Sequence, residues 1–200
     1  MIPNTVLMWR KNSLDRYRSN PCYEPTFTLV QRRHAYLVTA CGPAVDEFII
    51  ISRRRNSICF SPDGHTMYYC DSPTRTIRCC DYDTDAGTIG NDRLFADLQE
   101  QPGEPDGSTI DSAGYLWNAR WGGHRVLRYA PDGSIERIVQ VPVAQPSCVA
   151  FGGAALDTLY ITSARESLSD AALLAEPAAG GVLQLRLPDV RGLPEARFRD

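Results

Sequence analysis

One phrase occurs three times in this 200-residue chain: a short apolar strand, a tight polar turn, and a second apolar strand. It first reads Ser57-Ile58-Cys59-Phe60, then Ser61-Pro62-Asp63-Gly64, then Thr66-Met67-Tyr68-Tyr69-Cys70. It returns as Thr109-Ile110-Asp111-Ser112-Ala113-Gly114-Tyr115-Leu116-Trp117, and more loosely from Val149-Ala150-Phe151 through Asp157-Thr158-Leu159-Tyr160. Proline presets φ in such a turn and glycine takes the position that side chains avoid. The anchors Phe60, Ile110 and Phe151 lie 50 and 41 residues apart, the period of roughly 40 to 50 residues found in propeller blades. A further strand follows each phrase, at Arg75–Cys79, Arg125–Tyr129 and Val182–Leu185. A blade buries its faces only against neighbouring blades. The repeat therefore predicts an all-β propeller with about three blades recognisable, belonging to a larger ring or to an incomplete one.

The repeat begins at Asn56, and composition changes there too. Residues 1–55 carry nine Arg/Lys against four Asp/Glu, whereas residues 56–200 carry twelve against twenty. Only Gly42 precedes residue 56, and fourteen glycines follow it. Sheet-and-turn proteins need glycine at positive φ, so the chain divides into a propeller portion, 56–200, and an unmatched segment, 1–55. Within the latter, Phe27–Val30 and Val45–Ser52 read as strands, and Arg53-Arg54-Arg55 reads as a solvated charge run rather than a nucleic-acid patch. The segment fits a shifted reading frame, a false start, a fusion scar or a disordered stretch. One short helix is expected within 164–176, with Ser169 as N-cap ahead of Asp170-Ala171-Ala172-Leu173-Leu174; an excursion packed on the rim is the plainer reading of this segment, and a lid the sharper one.

Other classes recede. No run of 18 apolar residues and no signal-peptide pattern is present, which leads us to expect a cytoplasmic protein with no membrane partner. The seven cysteines form no CxxC pair and read as reduced, mostly buried thiols. None of His34, His65 and His124 has a second histidine at metal spacing. Trp117, in mid-strand, reads as core; Trp121 is open to either a core or a substrate role, and Asp71-Ser72 to lining the channel or capping a turn. Glu104 reads as an exposed turn carboxylate.

Two residues stand out by position. Asp106, in Gly103-Glu104-Pro105-Asp106-Gly107, precedes one inner strand as Asn56 precedes another. Taken alone, the segment is a turn with two carboxylates. Equivalent points of neighbouring blades converge on a central channel, however, where oxygen ligands from different blades can meet one hard cation.

The motifs Asn56–Gly64, Asp71-Ser72, Glu104–Gly107, Leu116-Trp117, Trp121-Gly122-Gly123, Phe151-Gly152-Gly153 and Leu159–Arg165 together resemble the SMP-30/gluconolactonase family, over residues 56–199. The resemblance implies a six-bladed propeller hydrolysing a sugar lactone of the gluconolactone or arabinonolactone type. It implies one divalent cation (Ca, Zn or Mn), with Asn56 and Asp106 as metal ligands and Asp106 also as general base. Ser57 stands where the family has glycine. The family's glutamate ligand has no counterpart, Glu24-Pro25 being the nearest imitation, and Pro3-Asn4-Thr5 offers only a shifted asparagine for its substrate-binding pair. The alternatives are an inactive propeller fragment or non-catalytic binding module, or a strictosidine-synthase-like propeller lacking the metal.

Overall fold

The computed structural model describes residues 55–194, preceded by a two-residue pairing of β1 (Tyr36–Leu37) with β2 (Ile50–Ile51). The strand expected at 27–30 and the rest of that expected at 45–52 lie outside the described residues.

Strands β3 (Arg55–Phe60), β4 (Thr66–Asp71), β5 (Thr76–Tyr82) and β6 (Ile89–Asp97) form an antiparallel sheet in sequence order. The pattern repeats in β7 (Glu104–Ile110), β8 (Leu116–Trp121), β9 (Arg125–Tyr129) and β10 (Ile135–Gln140), and again in β11 (Pro146–Gly152), β12 (Thr158–Ser163) and β13 (Val182–Arg186). These are successive blades of a β-propeller, and the repeated phrase is the first hairpin of each. The outer strands β6 and β10 are largely exposed, which is why neither presents an apolar run in the sequence.

Local chemistry explains the hairpins. Ser61 Oγ accepts from the Thr66 amide at 2.9 Å and the Gly64 amide returns to Ser61 O at 2.9 Å, with Gly64 at φ 79°. In the second blade Asp111 takes the place of Ser61, and the Gly114 amide closes on its carbonyl at 3.0 Å. Its carboxylate is fully buried. It accepts from the Ala113 and Tyr115 amides, from Trp117 Nε1 at 3.0 Å, and from Arg128 Nε at 2.9 Å and Nη2 at 2.6 Å. Arg128 also stacks on Tyr115 at 3.9 Å and reaches Glu136 at 3.0 Å, so neither buried charge is left unpaired.

The core lies between blades rather than within them. Strand β8 is buried on both faces: Leu116 packs with Tyr68, Ile77, Leu98 and Tyr129 toward the first blade, and Trp117 and Ala119 pack with Val149, Leu159 and Ile161 toward the third. Strand alternation thus sends one residue to each interface. Full burial of a large apolar side chain stabilises by about 1.5–3 kcal/mol, so each blade depends on its neighbour.

Residues 164–181 connect β12 to β13 and carry α1 (Asp170–Ala175), whose N-cap is Ser169, its Oγ accepting from the Ala172 amide at 3.2 Å. Leu168, Leu173 and Ala178 pack against the inter-blade core, in keeping with an excursion folded onto the rim. Among the described residues no helix is long and apolar enough to cross a membrane.

Candidate metal and active site

The first strands of the three blades, β3, β7 and β11, lie side by side, with β7 in the middle. Each carries one extra residue relative to its partner strand. Asn56 faces Cys70 but Cys59 faces Tyr68; Pro105 faces Arg120 but Ser108 faces Asn118; Pro146 faces Ser163 but Cys148 faces Thr162. A β-bulge bends its strand and re-aims the side chains beside it. Four residues before the anchors Phe60, Ile110 and Phe151 stand Asn56, the last paired residue before its bulge, and Asp106 and Ser147, which lie within theirs. Asn56 and Asp106 therefore lie inside the inner strands and not ahead of them, because pairing resumes on the far side of each bulge.

The bulges have their own backbone requirements. Ser57 adopts φ 73°, the left-handed conformation that glycine takes without strain. At Gly107 space is the constraint: an added Cβ would fall 2.5 Å from Cys148 Sγ and 2.8 Å from Cys148 Cα, on the neighbouring strand β11.

Side chains from β4, β8 and the turn after β4 tie the two candidate residues together. Ser72, 4% exposed and first in the 3-10 turn Ser72–Thr74, donates to Pro105 O at 2.7 Å, and Asn56 Nδ2 lies 3.4 Å from the same hydroxyl. The Cys70 thiol reaches Asn56 O at 3.4 Å and both Pro105 O and Asp106 O at 3.6 Å. Asn118, fully buried, donates to Asp106 O at 2.7 Å and to Ser108 Oγ at 2.9 Å, spanning the bulge from within. One step upstream, Arg120 at 2.7 Å and Arg75 at 3.0 Å both donate to Gly103 O, and Arg75 also donates to Gln101 O. The segment leading into Asp106 is thereby fixed from strand β8 and from the turn after β4.

The Asp106 carboxylate is partly buried and its ionised form is disfavoured. Burial pushes the Asp106 carboxyl up to about 6, the Gly107 amide opposes the rise, and the negative charge of Glu104 adds to it. Among the described residues no salt bridge reaches Asp106, although eight occur elsewhere. Burial also pushes the Cys70 thiol up to about 12, so it is protonated at neutral pH and acts as a weak donor. The donor set, an amide and a carboxylate with no cation beside the latter, fits a hard divalent ion. Among the described residues no group of three or more His, Cys, Asp or Glu side chains gathers around one point. The expected glutamate and substrate-binding positions before Asn56 lie outside the described residues.

Other residues sort by burial. Trp117 is core and Trp121, at the end of β8, is half-buried; Glu104 is exposed. The five described cysteines are free, with Cys70, Cys79 and Cys80 buried and Cys148 exposed. His124 faces Glu176 at 3.7 Å. Ser72 proves to be a bridge rather than a turn cap, while Asn118, Arg75 and Arg120 carried no sequence signal, since each acts on backbone carbonyls across strands.

Comparison with known proteins follows the same outline. The family model described as SMP-30/Gluconolactonase/LRE-like region matches residues 36–165. L-arabinolactonase of Azospirillum brasilense is 52% identical over 143 residues, 72% of this chain and 46% of that protein. A putative sugar lactone lactonase of Rhizobium meliloti is 42% identical over 145 residues, 72% of this chain and 49% of that one. Among solved structures, a calcium-binding regucalcin from Agrobacterium tumefaciens superposes with a TM-score of 0.70 at 37% identity, over 76% of this chain and 53% of its own. The chain thus spans about half the length of these relatives. With its matched residues, its blades and its bulged inner strands, it belongs to the SMP-30/gluconolactonase/LRE-like family.

Proposed function

We propose that this chain carries part of a divalent-cation-dependent lactonase that opens a sugar lactone to the aldonic acid, with a five-carbon arabinonolactone preferred over gluconolactone. The observation that carries this reading is the pairing of Asn56 and Asp106 at equivalent bulges of adjacent inner strands, linked through Ser72 and Cys70. The substrate preference rests on the 52% identity to an L-arabinolactonase.

In this reading Asn56 Oδ1 and the Asp106 carboxylate supply two oxygen ligands for Ca²⁺, Zn²⁺ or Mn²⁺. Such a cation, when bound, polarises a lactone carbonyl as a Lewis acid. Asp106 holds the second role: its carboxylate takes a proton from the water that attacks the carbonyl carbon, and the ring oxygen leaves with a proton as the ester bond breaks. A cation beside it would favour the ionised form of Asp106, leaving the carboxylate able to act as the base at neutral pH. The Cys70, Ser72 and Asn118 bonds keep its backbone still while it does so.

Hydrolysis of arabinonolactone and gluconolactone, followed with Ca²⁺, Zn²⁺ or Mn²⁺ and with Asp106→Asn as control, tests the proposal; equal rates for the two proteins would sink it. A second reading, a propeller portion that binds without turnover, draws on the chain's spanning about half the length of its relatives. Cation or lactone binding with no hydrolysis above the control would favour it.

A further inference from the structure

We propose that Ser72 is a positioning residue that decides which end of the Asn56 side-chain amide faces the cation site; the inference rests on the metal-ligand reading given above. Serine has one proton to donate and lone pairs to accept with. Pro105 O, a carbonyl that can only accept, sits 2.7 Å from Ser72 Oγ, so the hydroxyl proton is committed to it. Turned the other way, the hydroxyl would leave two oxygens facing each other at that distance with no hydrogen between them. Ser72 Oγ therefore has only a lone pair to offer Asn56, 3.4 Å away. The amide must present its NH2 to serine, and Oδ1, the only atom of that side chain able to ligate a hard cation, is turned outward.

The same hydroxyl links the two ligand-bearing strands. Pro105 O belongs to the peptide that joins Pro105 to Asp106, so the bond that orients Asn56 also fixes the peptide plane from which Asp106 projects. Ser72 is held for this task by its own surroundings: it is buried, opens the 3-10 turn after β4, and is followed by Pro73, which fixes the turn's first φ. Cys70, on the same strand end, reaches the carbonyls of Asn56, Pro105 and Asp106 through sulfur at longer range and has no bond to the amide, so it anchors backbone without selecting the rotamer.

Second-neighbour partners of this kind typically change metal affinity by about 10- to 100-fold when removed. Titration of the full chain with Mn²⁺ by calorimetry, with melting temperatures recorded in the presence of chelator, tests the assignment. Ser72→Ala is expected to weaken Mn²⁺ binding about tenfold or more, and Ser72→Thr, which keeps an acceptor and a donor, to restore it to within a few-fold. Ser72→Cys, close in size but a weak acceptor, should lie between and carries the test if Ser72→Ala does not fold. Unchanged affinity in Ser72→Ala or Ser72→Cys, beside loss of binding in Asp106→Asn, overturns the role of Ser72 while leaving the ligand pair intact. Absence of Mn²⁺ binding by the wild-type chain overturns the ligand reading itself, and the proposal with it.

Discussion

Replacing Asp106 by asparagine should make the metal-free protein more stable as pH rises, relative to wild type. The Asp106 carboxyl is pushed from its ordinary 3.8 up to about 6, chiefly by burial. Below about pH 4 both folded and unfolded chains hold the proton, and the group contributes nothing. Between about 4 and 6 the unfolded chain ionises first, so the folded state binds more protons and stability falls with rising pH. Above 6 the penalty is complete. At about 1.4 kcal/mol per unit, a rise of about two units corresponds to at most about 3 kcal/mol; partial exposure of the side chain reduces this to an expected 1–2 kcal/mol. Asparagine keeps the shape and can still accept from the Gly107 amide but does not titrate. Urea or thermal unfolding of both proteins, with chelator, at pH 4 and pH 7 gives the comparison. The difference in stability should move in favour of Asp106→Asn by about 1–2 kcal/mol between the two pH values, about 5 °C in Tm. Any fixed effect of the amide cancels in that difference. Saturating Mn²⁺ should raise the wild-type Tm and leave the variant where it was. A stability difference that does not change with pH would refute the burial argument.

Three further substitutions probe the bulges and the buried charge. Ser57→Gly should stabilise by about 1 kcal/mol by relieving the left-handed φ of 73°, and Ser57→Ala should not, a contrast visible in urea midpoints. Gly107→Ala should destabilise by about 1–3 kcal/mol, and Cys148→Ala should fail to rescue it fully, because the added carbon would also meet Cys148 Cβ at 2.7 Å and Cα at 2.8 Å. Asp111→Ala should destabilise by about 3–5 kcal/mol, since it strips Arg128 and the Trp117 indole of a fully buried partner; a small change in the unfolding midpoint would show that the network relaxes around the loss.

The hairpin phrase was legible because its chemistry is local: Ser61 bonds to residues within five positions, and Gly64 closes on Ser61. The same holds for Ser169, whose capping bond spans three residues. Asn56 and Asp106 could be picked out because they occupy like positions in two repeats. The bulges beneath them could not, since an extra residue shows only against a partner strand, and nothing in Pro105-Asp106-Gly107 states that Arg120 and Asn118 lie opposite. For Ser72 the partners are 16 and 33 residues away and one of them is a main-chain oxygen. Such contacts depend on how blades meet, and no repeat or turn signature encodes that.

The link between the second and third strands differs sharply from blade to blade: residues 72–75 and 122–124 make tight turns, whereas the third blade spends residues 164–181 there. Closing a loop grows harder only logarithmically with length, about 0.6 kcal/mol per doubling, so the longer path costs on the order of 1.5 kcal/mol. The anchoring of Leu168, Leu173 and Ala178 offsets a penalty of that size, and β12 and β13 still pair from Thr162 and Val182 onward. Asn56 and Asp106 lie toward this same end of the sheets, where β3 and β7 begin. The rim beside them is therefore free to drift in length and sequence at little thermodynamic expense, while the interlocked faces below it are not. A change of length there would reshape the border beside Asn56 and Asp106 while leaving the packed faces between blades in place.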